Sequence, residues 1–173
     1  KNRIEVVPSG VDLERVSLAN AEEQRRAIRK KYKIPENALV LLYVGRITKE
    51  KNISFLMRAF TRVAEAFRPP LYLLLVGGGP LEEEIRGKKI KNVILSGEVK
   101  YPEVLSYYAV GDIFVFSSTT ETQGLVLAEA KALGLPVVAL FAGGLVETVR
   151  SGEDGYLTPR NLGQFVEHIR RLI

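Results

Sequence analysis

The stretch LVLLYV, from Leu39 to Val44, decides how the rest of this sequence is interpreted. Six consecutive apolar residues without polar alternation indicate a β-strand that is buried on both faces. The polar loop GRITKEKN follows at residues 45–52, and residues 53–67 then have the spacing of an amphipathic helix, which a Pro-Pro pair ends. A strand, a polar loop and a helix in this order are typical of a βαβ unit in a parallel sheet.

The same order recurs along the rest of the chain. Further strands are predicted at Leu71–Val76, 92–95, Ile113–Phe116 and Val137–Leu140, and further helices at 81–86, 103–108, 124–133 and from Leu162 onward. This alternation predicts an α/β fold with a Rossmann-like, doubly wound parallel sheet. Because the chain has 173 residues and shows no linker or internal repeat, we expect residues 1–173 to form a single domain.

Composition limits the classes of function. The chain is 46% hydrophobic and 26% charged, which is typical of a globular domain, and it has no apolar run of the roughly 18 residues that a membrane span needs. It has no Cys and a single His, His168, so we do not expect disulfides, a zinc site or a Ser-His-Asp triad, and we expect a cytoplasmic location. A net charge of +5 favours anionic ligands such as nucleotides, phosphates or acidic lipid surfaces.

The densest basic segment is RRAIRKKYK at residues 25–33. It follows Asn20 and Glu23, which have the spacing of a capping box, so we expect a helix that begins there. An acidic first turn and a basic last turn would suit the helix dipole. We interpret the basic residues as a solvated helix face, and contact with a membrane or a partner is the alternative.

Three loops at the predicted carboxyl ends of the strands are the candidates for a ligand site, because this edge forms the crevice in such sheets. The first loop carries Gly45, Arg46 and Lys51. Arginine offers a planar fork to phosphate and lysine a mobile point charge, so the two cations could neutralise a diphosphate. A surface loop with incidental charges is the alternative.

The second loop has three consecutive glycines, Gly77, Gly78 and Gly79, between a strand and a helix. Glycines in this place suggest that the backbone approaches a ligand closely. The segment is not the dinucleotide motif G-x-G-x-x-G, because Glu82 stands at the third glycine position, and no Walker-type Gly-Lys-Ser/Thr follows. A tight turn explains the glycines equally well.

The third loop, residues 117–123, leads into a helix near Gly124, whose N-terminus would suit an anion. Glu121 lies in this loop, and Glu129 lies inside the helix among apolar neighbours. A carboxylate there needs hydrogen-bonding partners, which the hydroxyls of a ribose would provide, and Glu121 could bind a second sugar. The alternatives are a salt bridge within the fold for Glu129 and a loop acid near the helix dipole for Glu121.

We expect no metal and no cofactor, because the sequence has no Asp-x-Asp and no His–carboxylate cluster. If a phosphate departs in a reaction, Arg46, Lys51 and the helix N-terminus must then stabilise its charge.

Together these motifs resemble the large family four of retaining glycosyltransferases, which have the GT-B fold. Residues 121–129 resemble its paired-glutamate motif, GRITKEKN its Gly-Arg-x-x-x-x-Lys segment, and VGGGP at 76–80 its Val-Gly-x-Gly-Pro turn. VPSGVD at 7–12 resembles the Pro-Asn-Gly-Val-Asp entry into its second domain, with Ser9 in place of Asn. AGGLVE at 142–147 and GEDGYL at 152–157 fit the segments that follow, so the match covers almost the whole chain in order.

The resemblance implies roles for the candidate residues. Arg46 and Lys51 would bind the diphosphate of a UDP-, GDP- or ADP-sugar, Glu129 its ribose, and Glu121 the hydroxyls of the transferred sugar. The backbone near Gln123, Gly124 and Leu125 would contact this sugar and its phosphate. Gly45, Gly77, Gly78 and Gly79 would also line the donor site, and the segment from Gly97 to Val99 would border the base.

The resemblance also implies that the chain is the donor-binding half of a GT-B enzyme, without the N-terminal domain that binds the acceptor, and that it is inactive alone. TETQG at 120–124 resembles enzymes that glycosylate diacylglycerol, although polysaccharide enzymes share it, so both acceptor classes stay open. We expect retaining, metal-independent transfer in the cytoplasm, with peripheral membrane contact as an option and no nucleic-acid partner. The alternatives are a sugar-nucleotide epimerase of the same fold and a non-catalytic nucleotide-binding module.

Overall fold

The computed structural model describes residues 20–121, 123–146 and 148–173, so the segment resembling a domain entry at 7–12 lies outside the described residues. Its strands are β1 (Leu39–Val44), β2 (Leu71–Val76), β3 (Val93–Leu95), β4 (Ile113–Phe116), β5 (Val137–Leu140) and β6 (Gly155–Thr158). All pair in parallel in one sheet of order β3-β2-β1-β4-β5-β6. This is the strand order of a Rossmann-type sheet, so the predicted doubly wound α/β fold is confirmed.

Helices cover the sheet between the strands. They are α1 (Ala21–Tyr32), α2 (Ile53–Ala66), α3 (Glu82–Gly87), α4 (Val104–Tyr108), α5 (Leu125–Ala132) and α6 (Leu162–Leu172), with a 3₁₀ turn at Gly143–Leu145. Helix α2 packs on α6, and α1 packs on α4. Phe55 and Phe165 make an edge-to-face contact across the first pair, with ring centroids 5.3 Å apart. No helix in the described ranges is long and apolar enough to cross a bilayer.

The central strands are buried as their apolar runs predict, and the edge strand β6 is the one that the sequence did not predict. Only Gly155 and Thr158, its two ends, are fully buried. Gly155 lies so close to the backbone of β5 that an added Cβ would stand 2.2 Å from the carbonyl oxygen of Val137. A four-residue strand with a glycine and two half-exposed residues has no clear apolar period, which explains why it was missed.

One prediction about α1 is wrong, and a second, the solvated basic face, holds for Arg26, Lys30, Lys31 and Lys33 but not for Arg25 and Arg29. Asn20 does precede the helix, but its φ of 72° is left-handed and its side chain makes no capping hydrogen bond. The basic face is not simply solvated, because Arg29 is 1% exposed and donates to the carbonyl oxygens of Pro35 (2.6 Å) and Ala38 (3.0 Å). Arg25 forms an ion pair of 2.9 Å with Asp112, the residue before β4, whereas Ala38 is the residue before β1. The charged side chains of α1 therefore contact the starts of both strands.

Candidate functional site

Two adjoining cavities open at the carboxyl edge of the sheet, where the strand order reverses between β1 and β4. The larger, of about 520 Å³, is lined by the loops after β1 and β2, by Glu98 and Val99 after β3, and by Val104 in α4. The smaller, of about 270 Å³, is lined by the β1 loop, by the end of β4 and by the start of α5. Val44, Gly45 and Arg46 belong to the walls of both cavities. Such a switch point is where open α/β sheets bind ligands.

The glycine loop after β2 owes part of its composition to packing. Gly45 N–H donates to the carbonyl oxygen of Val76 at 2.9 Å, and Ile47 N–H to that of Gly78 at 2.9 Å, so the first two loops lie backbone to backbone. At Gly77, whose φ is 135°, a Cβ would stand 2.1 Å from the oxygen of Gly45. Gly77 is therefore required by this loop contact, whether or not a ligand is bound.

Arg46 is the most exposed of the candidate cations, at 74% of its side chain. Its guanidinium meets Glu50 Oε1 at 2.7 Å, and its backbone carbonyl accepts a hydrogen bond from the buried Tyr43 hydroxyl at 3.0 Å. The backbone is thus fixed while the side chain is held only by a surface ion pair, which is worth little and can be exchanged for a ligand. Arg46 lies at the junction of the two cavities.

Lys51 and Glu121, predicted from separate loops, are brought together in the smaller cavity. Lys51 Nζ and Glu121 Oε2 are 2.9 Å apart, and the two side chains are 18% and 20% exposed. Ser117 Oγ, fully buried, donates to the carbonyl oxygen of Lys51 at 2.7 Å and ties the β1 loop to the β4 loop. Lys51 Nζ also lies 5.9 Å from the ring centroid of Phe116. Glu121 is therefore the ion-pair partner of Lys51, which the sequence did not predict.

The start of α5 completes the smaller cavity. Gly124 precedes the helix with a φ of 64°, and a Cβ there would stand 2.4 Å from Leu145 Cδ2, so this position favours glycine. Gln123, Leu125 and Val126 line the cavity. The N–H groups of a first helical turn have no carbonyl partner within the helix, so they offer hydrogen bonds and partial positive charge to an anion.

Glu129, the residue predicted to bind a ribose, has a hydrogen-bonding partner within the fold. It is half-buried and lines neither cavity, but it lies one turn beyond Val126 on the same side of α5. Its Oε2 accepts a hydrogen bond of 2.6 Å from the Tyr108 hydroxyl, and it forms no ion pair with any other residue that the structure describes. The alternative of a salt bridge within the fold is thus not what the described residues show. Burial, and next the negative charge of Glu129, raise the pKa of Tyr108 far above its ordinary value of 10.0, so the phenol stays a donor.

Comparison with known proteins identifies the family of this chain. The profile of the family described as glycosyl transferases group 1 matches residues 24–173. The chain belongs to the glycosyl transferases group 1 family. The predicted family resemblance is confirmed by this match.

Named members of the group 1 glycosyl transferases are similar over most of the chain. An alpha-monoglucosyldiacylglycerol synthase from Acholeplasma laidlawii is 34% identical, over 96% of this chain and 44% of that protein. A GDP-mannose-dependent monoacylated alpha-(1-6)-phosphatidylinositol monomannoside mannosyltransferase from Corynebacterium glutamicum is 34% identical, over 84% and 40%. Sucrose-phosphate synthase from Thermosynechococcus elongatus has a solved structure that superposes with a TM-score of 0.79 at 28% identity, covering 97% of this chain and 43% of that one. The chain thus spans less than half the length of these relatives.

Several residues of this group 1 site were missed by the sequence analysis. The rings of Tyr43 in β1 and Phe116 at the end of β4 stack with centroids 5.9 Å apart, and Phe116 lines the smaller cavity. Val104 lines the larger cavity, while Tyr108 donates a hydrogen bond to Glu129. Glu98 also lines the larger cavity, but it belongs to the segment 97–99 that was predicted to border the base. Tyr43 and Phe116 are signalled by an aromatic at or next to a strand's carboxyl end, whereas Val104 and Tyr108 lie in a short helix with no motif of its own.

Proposed function

We propose that this chain binds a nucleoside-diphosphate sugar across the two cavities and serves as the donor domain of a glycosyltransferase. The observation that carries the proposal is that the cavities share one wall, Val44–Gly45–Arg46, with a cation on it. A nucleotide sugar has two bulky ends and an anionic middle, and this shape matches two cavities joined at a positive point.

The larger cavity suits the base and the smaller one the sugar. The first combines glycine backbone, Val99 and Val104 with the carboxylates of Glu82 and Glu98. Apolar surface with a few polar groups suits a planar ring that carries hydrogen-bonding atoms. The second contains Lys51, Glu121 and the start of α5 beside the aromatic floor of Phe116. A diphosphate between them would lie against Arg46 and Lys51, and a carboxylate such as Glu121 can accept hydrogen bonds from sugar hydroxyls.

Transfer of the sugar leaves a nucleoside diphosphate with one more negative charge on its terminal phosphate. Arg46, Lys51 and the first-turn N–H groups of α5 are donors around that position, and such preoriented donors lower the barrier as charge develops. These protein groups support a reaction without a metal ion. In the described residues no three His, Asp or Glu side chains cluster as metal ligands. We propose a retaining outcome from family membership alone.

The acceptor we propose is a lipid or a polysaccharide. The names of the Acholeplasma and Corynebacterium relatives specify glycolipid products, and the second name specifies GDP-mannose as donor. A lipid acceptor would require contact with a membrane surface, for which the net charge of +5 is suited. The acceptor would bind mainly to another domain, as the two-domain GT-B architecture implies.

Calorimetry with UDP, GDP and ADP tests the proposal directly. Lys51→Ala should weaken the binding of the preferred diphosphate about tenfold to hundredfold, because this loss of affinity corresponds to the free energy of one charged hydrogen bond. Lys49→Ala is the matched control, because Lys49 lies in the same loop, is exposed and lines neither cavity. Binding of none of the three diphosphates, or equal losses in both variants, would remove the site from consideration.

A further inference from the structure

We infer that Tyr108 is the positioning residue that holds Glu129 in the geometry needed to bind a ribose. The inference rests on the proposed function, and it gives a role to a residue that lies outside every sequence motif described above.

The contact between the two side chains is close and buried. Tyr108 Oη donates to Glu129 Oε2 at 2.6 Å and lies 3.4 Å from the carbonyl oxygen of Val126, one turn earlier in α5. Tyr108 is 1% exposed, and its ring stacks on Phe114 of β4 with centroids 5.8 Å apart. A hydrogen bond of this length to a carboxylate is of the strong, charge-assisted kind. Within residues 20–121, 123–146 and 148–173, no hydrogen bond occupies the other oxygen, Oε1.

Each member of the pair lies one helical turn from a residue that lines a cavity. Val104, one turn before Tyr108 on α4, lines the larger cavity, and Val126, one turn before Glu129 on α5, lines the smaller one. Residues three or four positions apart lie on one side of a helix, so the hydrogen-bonded pair faces the region where the cavities meet. In a nucleotide the ribose is the part that joins the base to the diphosphate. Its hydroxyls would therefore come within reach of Oε1.

Positioning matters here because a glutamate side chain is long and has several rotamers. Because Glu129 is hydrogen-bonded to the buried Tyr108, its carboxylate has one orientation, with Oε1 available to a ligand. Without the phenol, binding would have to immobilise the side chain, and ordering one such side chain lowers affinity roughly two- to tenfold. The phenol remains protonated at all physiological pH values, since burial beside a carboxylate raises the pKa of Tyr108.

The test is Tyr108→Phe, which removes only the hydroxyl and should keep the fold, as checked by thermal unfolding. Calorimetry compares UDP with 2′-deoxy-UDP, or the corresponding GDP or ADP pair if one of those binds more tightly to the unmodified chain. We expect the variant to bind the ribonucleotide about two- to tenfold more weakly and the deoxy compound almost as before, so that their affinity ratio moves towards one.

Tyr107→Phe is the matched control. Tyr107 is the neighbouring residue of the same helix, is also buried, and its hydroxyl lies 3.1 Å from Lys31 Nζ and 3.1 Å from Tyr32 Oη, at α1. A purely structural effect of losing a buried phenol would appear in both variants, whereas the ratio should change in Tyr108→Phe alone. In a Glu129→Gln background, Tyr108→Phe should have little further effect on the ratio, because the two act as one unit.

The outcomes separate two kinds of failure. If the unmodified chain binds a diphosphate and prefers the ribonucleotide, but Tyr108→Phe keeps that preference, the positioning role is wrong and the proposed function stands. If the control shows the same change, the effect is structural and the inference also fails. If the unmodified chain binds none of the three diphosphates, the proposed function itself fails.

Discussion

Glu121→Gln is the substitution for which the structure makes the sharpest prediction, because Glu121 is paired with Lys51 at 2.9 Å. Neutralising Glu121 releases Lys51 for the diphosphate. A pair of this partial exposure is worth about 1 kcal/mol, so the variant should bind the plain diphosphate about fivefold more tightly. The intact sugar nucleotide gains the same amount and loses the charge-assisted part of a hydrogen bond to the sugar, about 1–2 kcal/mol.

The ratio of the two affinities is therefore the decisive quantity, since the contribution of Lys51 cancels in it. Relative to the diphosphate, the sugar nucleotide should lose about five- to thirtyfold. Titration calorimetry of both ligands against the unmodified chain and the variant measures this. Glu50→Gln is the control, because it removes the same charge from an exposed partner of Arg46 and should leave the ratio unchanged. A weaker diphosphate complex in Glu121→Gln, or an unchanged ratio, would refute the reasoning.

Three further predictions concern the fold. Arg29→Met should lower the free energy of unfolding by about 2 kcal/mol in urea titrations, because it leaves the carbonyl oxygens of Pro35 and Ala38 without their donor, while Asp112 keeps its ion pair with Arg25. The exposed Arg26→Met should have little effect. Gly77→Ala should cost more than about 2 kcal/mol, since its Cβ would overlap a carbonyl oxygen, while Gly87→Ala, with open space around it, should be neutral or stabilising. Burial, and next Arg171, lower the pKa of His168 below 6.5, so the neutral form is favoured on folding; thermal stability should fall as the pH falls through 6.5, and less so in His168→Gln.

The fold followed from the sequence where burial on both faces left an unmistakable pattern. β1 and β2 are uninterrupted apolar runs, and their predicted bounds are the observed ones. β6 was not predicted, because an edge strand with one glycine and two half-exposed central residues shows no alternation of apolar and polar residues. Arg29 was misinterpreted because a buried arginine and a solvated one look alike within a basic run, and only the carbonyl groups of a later turn distinguish them.

The site was predicted as a set of loops but not as a set of contacts. Arg46, Lys51 and Glu121 were named because cations and carboxylates follow buried strands, and the structure places all three at the smaller cavity. Their pairing could not be inferred, because Lys51 and Glu121 are seventy positions apart and meet only through the β1–β4 neighbourhood. The same holds for Tyr108 and Glu129, which belong to two helices that no local pattern connects.

The shared wall of the two cavities has a consequence for how donor preference can change. Apart from Val44, Gly45 and Arg46, the lining of the larger cavity comes from residues 76–104 and that of the smaller from residues 51 and 116–126. With the proposed assignment of base and sugar to the two cavities, we expect selectivity for the nucleotide and selectivity for the sugar to depend on almost separate stretches of chain. Exchanging residues 97–104 with a relative of different nucleotide preference should transfer that preference alone, so homologous recombination could diversify the two properties one at a time.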